Sequence, residues 1–206
     1  AFARGAKRAA KLNHPVCVGV EAFGQERGIY YFAMEYVAGE TWATLLSRCA
    51  ENRKVLRPEI VVHVIAELCE GLHHAHELRG PDGPYHIVHR GMASNNILID
   101  DHGRPKIIDF ATTKSTLSKD STETGVIKGS FRYMSPEQIL GNVPDRRSDI
   151  YSLGVVMFES LTGAAGAKLE LTELASAKLE AHPRVREFRP NIDADLDRIC
   201  QIALAV

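Results

Sequence analysis

Apolar and polar residues alternate early in the chain and then settle into helical spacing. Residues 2–12 carry Arg4, Lys7, Arg8 and Lys11 at i, i+3, i+4 and i+7, which predicts a helix with one basic, solvated stripe ending before Asn13-His14-Pro15. Val16 to Phe23 then reads as a strand, Gly24 to Gly28 as a turn, and the aromatic-rich run Ile29 to Val37 as a second strand, together a hairpin. A short helix is predicted around Thr41 to Arg48. Pro58 opens a long one to about Leu78, with Ile60, Val64, Leu68 and Leu72 as its apolar stripe. Gly80-Pro81-Asp82-Gly83-Pro84 is a loop. A second hairpin pairs Ile97–Ile99 with Lys106–Ile108 across Asp100-Asp101-His102-Gly103.

From Thr112 to Thr124 the pattern lapses: eight Ser or Thr, few apolar side chains and no period predict a polar loop. Between Ile150 and Leu161 apolar residues fall on nearly every face, as in a helix at the centre of a helical body, with Ile150, Leu153, Val156, Met157 and Leu161 as core. Further helices are predicted near 168–181 and 194–205. The sum is an α+β layout with a helical majority.

Composition narrows the classes. The 206 residues carry 25 Lys or Arg against 26 Asp or Glu, a net charge of -1 that offers no footprint for nucleic acid. Cys17, Cys49, Cys69 and Cys200 are scattered without C-x-x-C spacing, which fits reduced thiols and a cytoplasmic setting. No apolar run reaches the roughly 18 to 20 residues of a membrane span. The chain opens on Ala1 rather than Met, as a fragment of a longer protein would.

The chemistry concentrates in His89-Arg90-Gly91-Met92-Ala93-Ser94-Asn95-Asn96 and, after the second hairpin, Ile108-Asp109-Phe110-Ala111. The hairpin between them brings Asn96 and Asp109 towards one cleft, and such oxygen ligands suit Mg²⁺ on nucleotide phosphates. His73 and His76, at i and i+3 on the long helix, share a face as metal ligands do, although no Cys or Glu completes a known spacing.

These strings resemble the protein kinase family, in which His-Arg-Asp-x-x-x-x-Asn precedes Asp-Phe-Gly. Gly129 to Glu137 is similar to the substrate-docking loop ending in Ala-Pro-Glu, and Ser148 to Gly154 to the start of the central buried helix. Leu12 to Pro15 and Met34 to Val37 resemble the end of the C-helix and the hinge, and the Gly/Pro loop before His89 is most like bacterial Ser/Thr kinases. The resemblance implies a kinase-like fold: residues 1–37 as a partial N-terminal lobe (C-helix plus β-hairpin), and residues 38–206 as the helical C-terminal lobe, short of its last helices. It implies a nucleotide-binding hinge at Met34, Glu35, Tyr36 and Val37, Mg²⁺ ligation by Asn96 and Asp109, and structural roles for His89, Arg90, Phe110, Glu137 and Asp149.

The departures carry equal weight. The base position is Gly91, the cationic position two residues on is Ala93, and the C-helix Glu falls at Gly5; the chain shows no phosphate loop and no Val-Ala-Ile-Lys strand. Together they imply a pseudokinase acting as a protein-interaction or regulatory module, with weak Mg²⁺ and ATP binding. The alternative is an atypical or split Ser/Thr kinase moving the ATP γ-phosphate to protein hydroxyls. A protein partner is expected, and the 16–37 hairpin favours homo- or hetero-association. Arg90 would pair a phosphorylated residue among Thr112, Thr113, Ser115, Thr116, Ser118, Ser121, Thr122 and Thr124.

Overall fold

A computed structural model describes residues 9–110, 131–163 and 182–205. The helix expected over 2–12 lies mostly outside these residues. Gly5, Ala111, Gly129, the Ser/Thr positions of 112–124 and the helix expected at 168–181 lie wholly outside them.

Strands β1 (Val20–Glu26) and β2 (Ile29–Met34) form an antiparallel hairpin. Its turn is tighter than the sequence suggested: Arg27 and Gly28, at φ of 50° and 83°, make a two-residue connection whose handedness fits the strand twist. The first strand also starts later than Val16, because Val16 to Val18 have another partner. Val18 N–H donates to the Ile107 carbonyl at 2.9 Å, Ile107 N–H donates to Val16, and Val16, Cys17 and Val18 are buried there.

A three-stranded antiparallel sheet follows, ordered β3 (Gly39–Thr41), β6 (Ile97–Asp100), β7 (Pro105–Ile107). Gly39 is required here, since a Cβ would stand 2.0 Å from the Ile99 carbonyl oxygen. The Gly/Pro loop is more regular than expected: β4 (Arg79–Gly80) pairs with β5 (Gly83–Pro84).

Helix α1 (Trp42–Glu51) begins at Thr41, whose hydroxyl accepts from Thr44 N–H at 3.1 Å. Trp42 is buried and donates through Nε1 to Ser160 Oγ at 2.8 Å, tying α1 to the centre of the domain. Helix α2 (Pro58–Glu77) has Pro58 at its first position. Its buried line is Val61, Val64, Leu68, Leu72 and Ala75, and Ile60, one residue off that line, is exposed. Helices α3 (Pro136–Ile139), α4 (Arg146–Thr162), α5 (Val185–Phe188) and α6 (Ala194–Ala203) follow among the described residues; the short α3 and α5 have no counterpart in the sequence pattern.

Helix α4 is the hub, with α2, α5 and α6 packed around it and burial on nearly every face from Ser148 to Thr162. Ile150 departs from the expected stripe and is 41% exposed, although its neighbours Asp149 and Tyr151 are buried. Asp145 caps α4 by accepting from Arg147 N–H at 2.8 Å, and Asp193 caps α6. Among the described residues, no helix is long and apolar enough to cross a membrane.

Candidate active site

The loop from His89 to Asn96 is held from beneath by one carboxylate. Asp149, in the first turn of α4 and fully buried, accepts from His89 N–H at 2.8 Å and Arg90 N–H at 2.7 Å. It also meets His76 Nε2 at 2.7 Å. A buried carboxylate is tolerable only when its oxygens are this fully engaged. That contact commits His76 to the frame, while His73 is exposed, so the pair is not assembled as a metal site. Among the described residues no group of three or more His, Cys, Asp or Glu could hold a metal.

His89 is buried against the edge of Phe110, ring centroids 4.8 Å apart. Its Nδ1 accepts from Gly91 N–H at 3.2 Å, so the ring proton sits on Nε2 and is donated to the Ile108 carbonyl at 2.8 Å. Arg90 occupies the left-handed region at φ 62°, a strained setting for a non-glycine residue. Its carbonyl accepts from Gln138 Nε2 at 2.9 Å, and Gln138 is itself fixed by a capping box with Ser135 at the start of α3.

Asn96 and Asp109 stand at the two open ends of the β6–β7 hairpin. Ile108 N–H donates to the Asn96 carbonyl at 3.1 Å, so the residue preceding Asp109 is tied directly to Asn96. Asn96 spends its side-chain N–H on the Gly91 carbonyl at 2.7 Å. Asp109 sits at φ 70°, a second strained residue in the same cleft. An amide oxygen and a carboxylate form a donor set suited to Mg²⁺.

Gly91 is exposed and free of positive φ; a Cβ there would be 3.8 Å from Asn96 Nδ2 and from the His89 ring, which is ordinary contact. Sterics therefore do not explain the glycine. Ala93 is buried and offers no charge.

The segment Met34 to Val37, expected to form a hinge, begins at the end of β2 and ends just before β3. Glu35 accepts from Gly19 N–H at 3.2 Å and pairs with Lys106 Nζ on β7, and Lys106 holds its carboxyl below the usual range. Tyr36 is 90% exposed and Met34 is exposed as well, while Val37 is half-buried. Glu137 accepts from Ser148 Oγ; burial opposes its charge, and the Ser148 hydroxyl with neighbouring donors outweighs that and lowers the carboxyl.

Sequence reasoning missed two contributors. Lys106 reads as an ordinary strand lysine until the fold sets it against Glu35. Glu159 on α4 accepts from Ser94 Oγ at 2.9 Å and from the Tyr133 hydroxyl at 2.8 Å, anchoring the far side of the loop. Burial together with Glu159 pushes the Tyr133 phenol well above its ordinary range. A lone Glu in an apolar helical run was the available signal.

A family profile described as "Protein kinase domain" matches residues 2–195. The chain is 36% identical over 210 residues to a tyrosine-protein kinase, MasK, of Myxococcus xanthus, covering 99% of this chain and 32% of that protein. It is 34% identical over 206 residues to the serine/threonine-protein kinase PrkC of Bacillus subtilis, covering 99% of this chain and 30% of that protein. It thus spans about a third of the length of these curated relatives. In fold it is similar to the Mycobacterium tuberculosis PknI kinase domain, with a TM-score of 0.75 at 24% identity, covering 99% of this chain and 68% of that one.

Proposed function

The chain belongs to the protein kinase family, and from that premise we propose that its cleft binds Mg²⁺-ATP at Asn96 and Asp109 and serves γ-phosphate transfer to protein hydroxyls. The curated relatives support this reading, since those described above are named as protein kinases. One geometric observation carries it. Asn96 commits its amide nitrogen to Gly91, which leaves the amide oxygen as its ligand atom, and its backbone is tied to the neighbour of Asp109. When bound, Mg²⁺ would neutralise phosphate charge. The chain's own part is positioning: Asp149 and Gln138 fix the loop backbone, and Glu35 with Lys106 fixes the hinge. Gly91 supplies no proton acceptor, so transfer here rests on positioning and electrostatics alone.

A different observation favours a second reading. Gly91 has room for a side chain and carries none, and Ala93 carries no charge. A domain that keeps the frame and omits the proton acceptor reads as a non-catalytic regulatory or interaction module with weak nucleotide binding, engaging protein partners in the cytoplasm. In either reading Arg90 is a receptor for phosphate. Its Nε is a buried donor with no partner among the described residues, and a phosphorylated Ser or Thr from 112–124 would satisfy it.

Thermal shift with Mg²⁺-ATP beside Asp109→Ala, followed by radiolabel transfer to a generic protein substrate, tests both. Nucleotide at about 100 Kd should stabilise the fold by roughly 2.7 kcal/mol. A shift that needs Mg²⁺ and Asp109, with label transfer lost in Asp109→Ala, is the outcome expected of the first reading. The same shift without transfer selects the second. No shift at millimolar nucleotide would sink nucleotide binding in both.

A further inference from the structure

Away from the cleft, α1, the loop 52–57 and the first half of α2 enclose an open groove of about 700 Å³, with Ile99 and Gly103 at one side. It shares no lining residue with the site formed by Gly91, Asn96 and Asp109. Its floor is apolar: Trp42, Leu45, Leu56, Ile60, Val64 and Ile99. Ile60, the residue that left the buried line of α2, is exposed there, so the groove accounts for an apolar side chain that the core does not use. Its rim is cationic. Arg48, Lys54 and Arg57 face it with Glu59 as the single carboxylate among the lining residues. Arg48 pairs with Glu40 at 2.7 Å, whereas Lys54 and Arg57 have no ion pair among the described residues.

We propose that this groove docks an acidic peptide segment of a partner protein, with an apolar anchor on the Trp42–Val64 floor and carboxylates on Lys54 and Arg57. The volume falls in the range that takes a few side chains. The cations are distributed over three elements: Arg48 on α1, Lys54 in the loop and Arg57 at the start of α2. Carboxylates spaced along a peptide match that distribution, while the single head of an amphiphile meets one of them. The site does not depend on the nucleotide reading, and binding is expected to persist in Asp109→Ala.

The groove carries its own reporters. Trp42 is the only tryptophan of the chain and lies in the floor, and the Cys49 thiol lines the wall. The probe is a synthetic heptapeptide with two leucines among glutamates, run against its lysine-for-glutamate counterpart. The acidic peptide is expected to change Trp42 emission saturably, less so as salt rises, and to protect Cys49 from a maleimide in a Cys69→Ser background. Lys54→Glu with Arg57→Glu, both at exposed positions, should weaken it by about tenfold or more without moving the thermal midpoint. Equal response to both peptides, no response to either, binding indifferent to the double charge reversal, or a Trp42 response to phosphatidylserine vesicles alone would each overturn the proposal.

Discussion

The loop from His89 to Asn96 has two sides that differ in kind. Beneath it the contacts are made mainly to backbone or to a buried ring: Asp149 takes two main-chain N–H groups, Gln138 takes the Arg90 carbonyl, and His89 ties to Ile108, with the Ser94 hydroxyl on Glu159 as the exception. At the two positions that would carry acid–base and charge chemistry the side chains are minimal, with Gly91 exposed and bare and Ala93 a buried methyl. At Arg90 and Gly91 the frame grips main-chain atoms, whereas proton transfer would need a particular side chain. The shape of the loop is therefore held without any side chain at Gly91.

Removal of Asp149 is the harshest way to break this contrast. Asp149→Ala strands two buried N–H groups and His76, and should cost about 3–5 kcal/mol in urea unfolding, the scale of an orphaned buried charge network. A loss under about 1 kcal/mol would mean that the loop is held by something else. Gln138→Ala removes the donor to a strained carbonyl and should cost about 1–2 kcal/mol by the same measurement.

The Glu35–Lys106 pair is sensitive to acid. Lys106 lowers the folded-state carboxyl of Glu35 below its unfolded value, so this pair stabilises the fold above the ordinary carboxylate range, and the contribution is lost as pH falls through the folded value. Being partly exposed, it should amount to no more than about 1 kcal/mol. Thermal melts between neutral and acid pH should lose that component in Lys106→Met. The smallest stability effect is expected at Gly91. Gly91→Asp has room for its Cβ and should move stability by no more than about 0.5 kcal/mol. Radiolabel transfer by that variant sharpens the comparison: a rise over the native chain shows that a carboxylate at this position can act with the rest of the site, and no rise shows that it cannot.

Much of this was legible in the chain. Helix α2 announced itself through Pro58 and its apolar spacing, although Ile60 went to the groove instead of the core. Helix α4 is visible as an apolar run without a polar face, and the His89–Asn96 and Asp109 strings point to one cleft. Val16 to Val18 were misassigned to the hairpin because alternation marks a strand without naming its partner; Ile107, distant in sequence, competed for them and won. Arg27-Gly28 was lost in a wider turn because both neighbouring strands extend closer to it than propensity indicates.

By itself, then, the sequence determined the local order: which segments are helix or strand, where Pro58 and Thr41 start them, and which side chains are present or missing at Gly91 and Ala93. Those are properties of near neighbours, governed by backbone sterics, capping and side-chain periodicity. Only tertiary structure decided that Asp149 would carry the loop, that Lys106 would meet Glu35, and that Trp42 would floor a cationic groove. Each joins residues far apart in the chain, and hydrogen bonding and burial select such partners only after the helices have packed around α4.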